Sequence, residues 1–186
     1  MIGYAMCGSF CTMKRSLEIL ESLCKTYEML PIMSPITYET NTRFGKASDH
    51  VSRAESLCGR EVIHTVDGAE PLGPATPLEA LVICPCTGNT LAKMARGITD
   101  TAVCMAAKAH LRSDRPLLIA LASNDAMSAN LGNIATLLNR KQVYFVPMKQ
   151  DDPEKKPHSL VADFSLLPQT LEAALEGKQF QRLFQC

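Results

Sequence analysis

The chain has no excess of charge of either sign: its 186 residues carry 19 Lys and Arg against 19 Asp and Glu, and no basic run. That balance lacks the electrostatic footprint of a nucleic-acid binder or of a protein held on an anionic membrane. No apolar run reaches membrane-spanning length, and Met1 to Met6 enters a strand-like segment without the charged and long apolar regions of a signal peptide. A cytoplasmic protein is expected. Low-complexity tracts, internal repeats and domain-splitting linkers are missing as well. One domain with a sizeable core is therefore expected over residues 1–186.

CxxC spacing is absent, although cysteines stand at Cys7, Cys11, Cys24, Cys58, Cys84, Cys86, Cys104 and Cys186. No histidine completes a half-site beside Cys7/Cys11 or Cys84/Cys86, so no metal is expected. Most of these thiols lie in apolar segments and read as free and buried. Cys7, Cys11 and Cys86 also fit a nucleophile, because a helix N-terminus lowers a thiol's pKa.

What the chain does have is a sequence of short apolar runs, each followed by a small-polar turn and an apolar-periodic helix. Leu81 to Cys84 runs into Pro85-Cys86-Thr87-Gly88-Asn89-Thr90 and then a helix to about Arg96. Thr87, Asn89 or Thr90 can cap that helix, and its unpaired first-turn N–H groups suit a phosphate. Ile2 to Met6 leads likewise through Gly8, Ser9, Phe10 and Thr12 into a helix with Leu17, Leu20 and Leu23 on one face. Met29 to Thr37 is a second apolar run, followed by a polar loop that carries Arg43. Lys46 to Leu57 has helical spacing with Gly59 as its stop, and Glu61 to His64 reads as a short extended piece in which His64 is half-buried.

Thr101 to Arg112 is a further helix. Pro116 to Ala122 is a buried strand closed by Ser123-Asn124-Asp125, after which a helix is expected to about Asn139. Gln142 to Pro147 is the last clear strand. Residues 148–166 read as an exposed, charged, proline-containing loop, and 167–186 as a C-terminal helical appendage.

Strands alternating with helices imply right-handed crossovers, and uninterrupted apolar strands imply a parallel sheet covered on both faces. The expected fold is a three-layer α/β Rossmann-like one. Ligands in such folds gather at the carboxyl ends of the strands, where loops 8–12, 85–90 and 122–125 would meet around a phosphate-bearing cofactor.

The turn and helix resemble the homo-oligomeric flavin-containing cysteine decarboxylases and their relatives. Their Pro-Ala-Ser-Ala-Asn-Thr motif matches Pro85, Asn89 and Thr90, with Thr87 in place of serine, and Leu91 to Asp100 continues the likeness. Their Pro-x-Met-Asn-x-x-Met-Trp motif falls on Leu121 to Ser128, which keeps Asn124 and Met127 but lacks the proline, first methionine and tryptophan. Their histidine ahead of the first motif is replaced by Glu70-Pro71.

A likeness over nearly the whole chain links it to the B-chain family of dipicolinate synthases of spore-forming bacteria. It is carried by Asn41 to Gly45, Ala69 to Pro74, Met105 to Ala109, Asn124 to Ala126, Gln150 to Pro157 and Leu166 to Thr170.

That resemblance implies a flavoprotein-like oxidoreductase subunit. It would work with a dehydrogenase-type A chain, to which any NAD(P) belongs, and make pyridine-2,6-dicarboxylate from a dihydrodipicolinate-level precursor in the mother cell during sporulation. It also implies a trimer-based homo-oligomer and FMN held by Gly8, Ser9, Phe10, Thr37, Pro85, Thr87, Gly88, Asn89, Thr90, Ser123 and Asn124. Arg43 and Lys108 are the candidate cations for the two carboxylates of the substrate. Asp125 or Glu70 is available to take a proton, with capping or surface roles as the alternative. Residues 150–159 are available to dock the A chain or another copy. Two other readings remain open: an assembly subunit without chemistry of its own, and a flavin-dependent cysteine decarboxylase.

Overall fold

A computed structural model describes residues 1–185; Cys186 lies outside the described residues, and so does its thiol reading. Five apolar runs form the spine of the sheet: β1 (Ile2–Met6), β2 (Met29–Met33), β3 (Ala80–Cys86), β4 (Leu117–Ser123) and β5 (Val143–Phe145). Two short strands, β6 (Met148–Gln150) and β7 (Leu160–Ala162), complete it. The order is β2-β1-β3-β4-β7-β6, with β5 also paired to β4. β1 to β5 are parallel to one another, whereas β7 is antiparallel to both β4 and β6.

The sheet is therefore mostly parallel, as expected of a Rossmann-like α/β fold, with antiparallel pairing added at one edge by β7 and β6. β5 pairs only with Leu117 to Ile119, which leaves the carboxyl half of β4 without a partner on that side. β7 supplies one at Ala122 and Ser123. The expected exposed loop over 148–166 is corrected by the same feature. Met148, Leu160, Ala162 and Phe164 are buried, and the long exposed stretch is limited to Lys149 through His158, within which Asp152 is half-buried.

Among the described residues eight α-helices cover the sheet: α1 (Met13–Leu23), α2 (Pro35–Glu39), α3 (Ala47–Cys58), α4 (Val66–Ala69), α5 (Gly88–Arg96), α6 (Ala102–Leu111), α7 (Leu131–Leu138) and α8 (Leu167–Leu175). The hand of the crossovers decides their layer. Ile63 bridges to Ile32 on the outer side of β2, so the β2–α3–Ile63 crossover continues in the direction of β1–α1–β2. α1 and α3 accordingly pack together, while α4 to α7 pack among themselves in the other layer. Glycines in left-handed conformation end α3 at Gly59 (φ 64°) and α5 at Gly97 (φ 75°), where a side chain would be strained.

Two helix expectations need correction. Residues 124–130 form turns, and α7 begins only at Leu131. The expected C-terminal appendage is part of the core: α8 buries Leu167, Thr170, Leu171 and Ala174 and packs on β4. Beyond it, the Gln179 side chain both donates to the Phe145 carbonyl (2.7 Å) and accepts from its N–H (3.0 Å). Leu183 and Gln185 bond in turn to the Met148 backbone.

Candidate functional site

β1 connects to β2 on one side, while β3 and β4 lie on the other, so the loops leaving β1 and β3 diverge at their carboxyl ends. A crevice opens at such a switch in strand order. The Cys7 N–H donates to the Pro85 carbonyl at 3.1 Å and fixes the two loops side by side. A cavity of about 700 Å³ lies above them, within the usual range for small-ligand sites.

This cavity brings together Gly8, Ser9, Phe10, Thr87, Gly88, Asn89, Ser123, Asn124 and Arg43. Pro85 sits beneath it as a fully buried residue of β3, which runs on to Cys86 rather than ending at Cys84. Its missing N–H falls where the β3–β4 register shifts, between Ile83 and Cys86. Thr90 faces a smaller adjoining cavity of about 370 Å³ that shares Gly8, Thr87 and Asn89 and adds Ser34, Lys93 and Thr101. Thr37 is buried and bonded to Ser34 at 2.9 Å, and lines neither space. Lys108 lies in a separate groove with Gly97, Arg112 and Arg140. The expected pairing of Lys108 with Arg43 around one substrate is therefore not built, because α6 presents Lys108 away from the strand-end loops.

Hydroxyl groups dominate the floor. Thr87 is the N-cap of α5 and accepts from the Thr90 N–H at 3.3 Å. Thr12 donates to the Ser9 carbonyl at 2.9 Å and to its hydroxyl at 3.0 Å. The N–H groups of Gly88 and Asn89, in the first turn of α5, have no intrahelical acceptor. This donor set suits a phosphate, and the Phe10 ring and the Asn89 and Asn124 amides line the same space for a planar heterocycle.

Gly88 keys the loops together. A Cβ there would stand 2.4 Å from Ser123 Oγ and 2.6 Å from Asn130 Nδ2. Ser123 Oγ donates to Asp125 Oδ1 at 2.5 Å, and Asn130 Nδ2 donates to the same oxygen at 3.0 Å. The Ser123 hydroxyl first, and Asn130 next, hold the Asp125 carboxyl below the usual carboxylate range. Asp125 is thus a loop anchor, with its proton affinity lowered by the partners it already has. Glu70 is exposed at the end of α4 and does not line the cavity.

The nucleophile reading fails for two of its three thiols. Cys7 is fully buried and pushed up to about 12, and Cys86 is raised well above the ordinary value, because desolvation outweighs any helix-end effect. Cys11 is exposed and lines the cavity. His64 is stacked on Tyr38 with ring centroids 3.7 Å apart, outside the cavity lining. No cluster of three or more His, Cys, Asp or Glu side chains able to hold a metal occurs among the described residues. None of their helices is long and apolar enough to cross a membrane.

Five lining residues escaped the sequence reading: Arg15, Phe44, Asp151, Lys156 and Val161. Arg15 lies on α1, where a cation reads as an ordinary solvated residue, and approaches Asp163 at 3.6 Å. Lys156 sits in the β6–β7 connection and pairs with Asp151. Phe44 is 47% exposed, with the Arg43 guanidinium 4.8 Å above its ring. Arg43 itself makes no ion pair among the described residues.

Known proteins share this architecture. The chain is 43% identical over 181 residues to the dipicolinate synthase B chain of Bacillus subtilis (strain 168), covering 97% of this chain and 90% of that one. The crystal structure of the dipicolinate synthase B chain from Bacillus halodurans superposes with a TM-score of 0.91 at 38% identity, covering 100% of this chain and 95% of the other. The FMN-dependent cysteine decarboxylase SpaF shares the fold at 21% identity, with a TM-score of 0.67 over 93% of this chain and 95% of its own. The pattern of the flavoprotein family matches residues 2–163. With a doubly wound sheet, a hydroxyl-lined crevice at its switch point and that match over most of its length, the chain belongs to the flavoprotein family.

Proposed function

We propose that the chain is the B chain of a dipicolinate synthase, binding FMN in the strand-end cavity. Together with a dehydrogenase-type A chain, it helps oxidise a dihydrodipicolinate-level precursor to pyridine-2,6-dicarboxylate in sporulating cells. One observation carries this reading: the same cavity joins phosphate-type donors at the start of α5 to Arg43, a guanidinium without an ion-pair partner among the described residues. Bound FMN would supply the acceptor for the hydride equivalent that leaves the ring on aromatisation.

The chain's own residues bind and orient. Ser9, Thr87 and the first-turn N–H groups of α5 take the phosphate; Phe10, Asn89 and Asn124 border the ring. Arg43 takes one substrate carboxylate through paired N–H donors. Arg15 and Lys156 line the same cavity and are the candidates for the other carboxylate, replacing Lys108 in that role. Both must first exchange an existing carboxylate partner, Asp163 or Asp151.

A second reading, an assembly subunit that positions the A chain without chemistry of its own, is favoured by Asp125. The carboxylate nearest Gly88 is already committed to Ser123 and Asn130, so no free general base is evident there. The β6–β7 connection is the proposed docking segment in either case, and a trimer-based homo-oligomer is the proposed assembly.

The test is reconstitution of the purified chain with its A chain, following bound flavin by absorbance and dipicolinate formation together. Bound FMN with flavin-dependent turnover is expected. Full turnover with flavin-stripped protein would establish the assembly reading, and loss of turnover on substituting a cysteine-terminated substrate is expected of either.

A further inference from the structure

α1 and α3 lie side by side and run in the same direction, so their residues meet in increasing order. Glu21 pairs with Arg53 at 2.7 Å, and Glu28, beyond the end of α1, pairs with Arg60, beyond the end of α3. Between these two ion pairs stand Cys24, the C-cap of α1, and Cys58, the last residue of α3. Cys24 and Cys58 both pack against the core at this α1–α3 contact, and each lies near enough to shift the titration of the other. Both are partly exposed, unlike the buried Cys7, Cys84, Cys86 and Cys104.

We propose that Cys24 and Cys58 form a thiol–disulfide site, closed by a peroxide, that crosslinks α1 to α3. The Cys24 thiolate attacks one oxygen of hydrogen peroxide, the O–O bond breaks, and the departing hydroxide takes up a proton to leave as water. The resulting sulfenic acid is attacked by the Cys58 sulfur. The S–S bond forms as the S–O bond breaks, and the hydroxyl leaves with the Cys58 proton as a second water. The pair of thiols loses two electrons and two protons, and the peroxide is reduced to two waters. The site does not depend on flavin binding.

The order of attack follows from the surroundings. Burial pushes Cys58 up to about 12. Burial raises Cys24 as well, but the Cys58 S–H stabilises its thiolate and opposes that rise. The thiolate is the nucleophile, so closure is slow at neutral pH and quickens as pH rises.

The full-length protein, reduced and then treated with hydrogen peroxide at neutral and at alkaline pH, is digested without reductant and its peptides are mapped by mass spectrometry. A peptide pair linked through Cys24 and Cys58 is expected. It should form faster at alkaline pH, revert with dithiothreitol, and be missing in Cys24→Ser and in Cys58→Ser, each checked for native circular dichroism. The proposal is overturned if both thiols stay open to alkylation while Cys11 oxidises, or if Cys24 is recovered joined to any other cysteine. Should either serine variant fail to fold, the wild-type peptide map and its pH dependence decide alone.

Discussion

A single methyl group is enough to disturb the site at Gly88, because Ser123 Oγ and Asn130 Nδ2 occupy the space a Cβ would need. Gly88→Ala must push the start of α5 away from the turn after β4. Overpacking of this kind typically costs ~1–3 kcal/mol. A lower thermal midpoint and a flavin affinity weakened by ~10-fold, the equivalent of about 1.4 kcal/mol, are expected from melting curves and flavin titration. Arg43→Ala removes charged hydrogen bonds of the kind that contribute ~1.5–3 kcal/mol. It should raise the substrate KM of the two-chain enzyme by ~10-fold or more while leaving flavin binding intact, whereas Lys108→Ala should leave steady-state kinetics unchanged. Equal effects of the two substitutions would remove Arg43 from the site. Asp125 sets a pH dependence of known sign. Its carboxyl is held low in the folded chain, so its contribution is fully present above the unfolded Asp value of ~3.9 and fades as pH falls through the lower folded value. Urea midpoints should fall more steeply below about pH 4 in the wild-type protein than in Asp125→Asn.

At the scale of elements, α5 depends on its cap and α8 on its core contact. Thr87 satisfies one orphan N–H of α5 and lines both cavities. Thr87→Ala should cost ~1 kcal/mol in chemical denaturation and weaken flavin binding as well, because the same turn presents the phosphate donors. Leu171 is 0% exposed beneath α8. Leu171→Ala should cost ~2–5 kcal/mol, an outcome that a detachable appendage would not give. A denaturation midpoint within error of wild type would return α8 to the status of an appendage. The Leu81–Thr90 segment shows how much of an element is legible locally. The apolar run, the cap and the Gly97 stop follow from short-range steric and hydrogen-bonding preferences. The continuation of β3 through Pro85 does not, since it depends on β1 and β4 lying on either side.

For the molecule as a whole, burial sorts the cysteines more strongly than position in the sequence. Cys11 is exposed, while Cys7, Cys84, Cys86 and Cys104 lie in the core. A thiol-specific alkylating reagent should therefore label Cys11 at once in the native protein and reach those four only on unfolding, as read by mass spectrometry. Rapid labelling of Cys7 or Cys86 would contradict the packing of the strand ends. The two misread strands, β6 and β7, belong to this scale as well. Three residues each are too few to show a period, and both are strands only because β4 extends beyond β5 and leaves an edge to be paired.

The amino-acid sequence by itself determined the α/β class, the five spine strands and the small-polar turns at Gly8, Thr87 and Ser123. Each is encoded by neighbours in the chain: apolar runs buried on both faces, hydroxyls that cap helices, and glycines that stop them. Tertiary structure alone decided which cations share the cavity. Arg15, Arg43 and Lys156 come from three connections far apart in the chain and meet because the strand order is 2-1-3-4-7. Lys108, no less plausible as a charge, is carried elsewhere by its helix. The same folding turned Cys7 and Cys86 from candidate nucleophiles into core residues, since desolvation is a property of what packs around a thiol and not of the residues beside it in sequence.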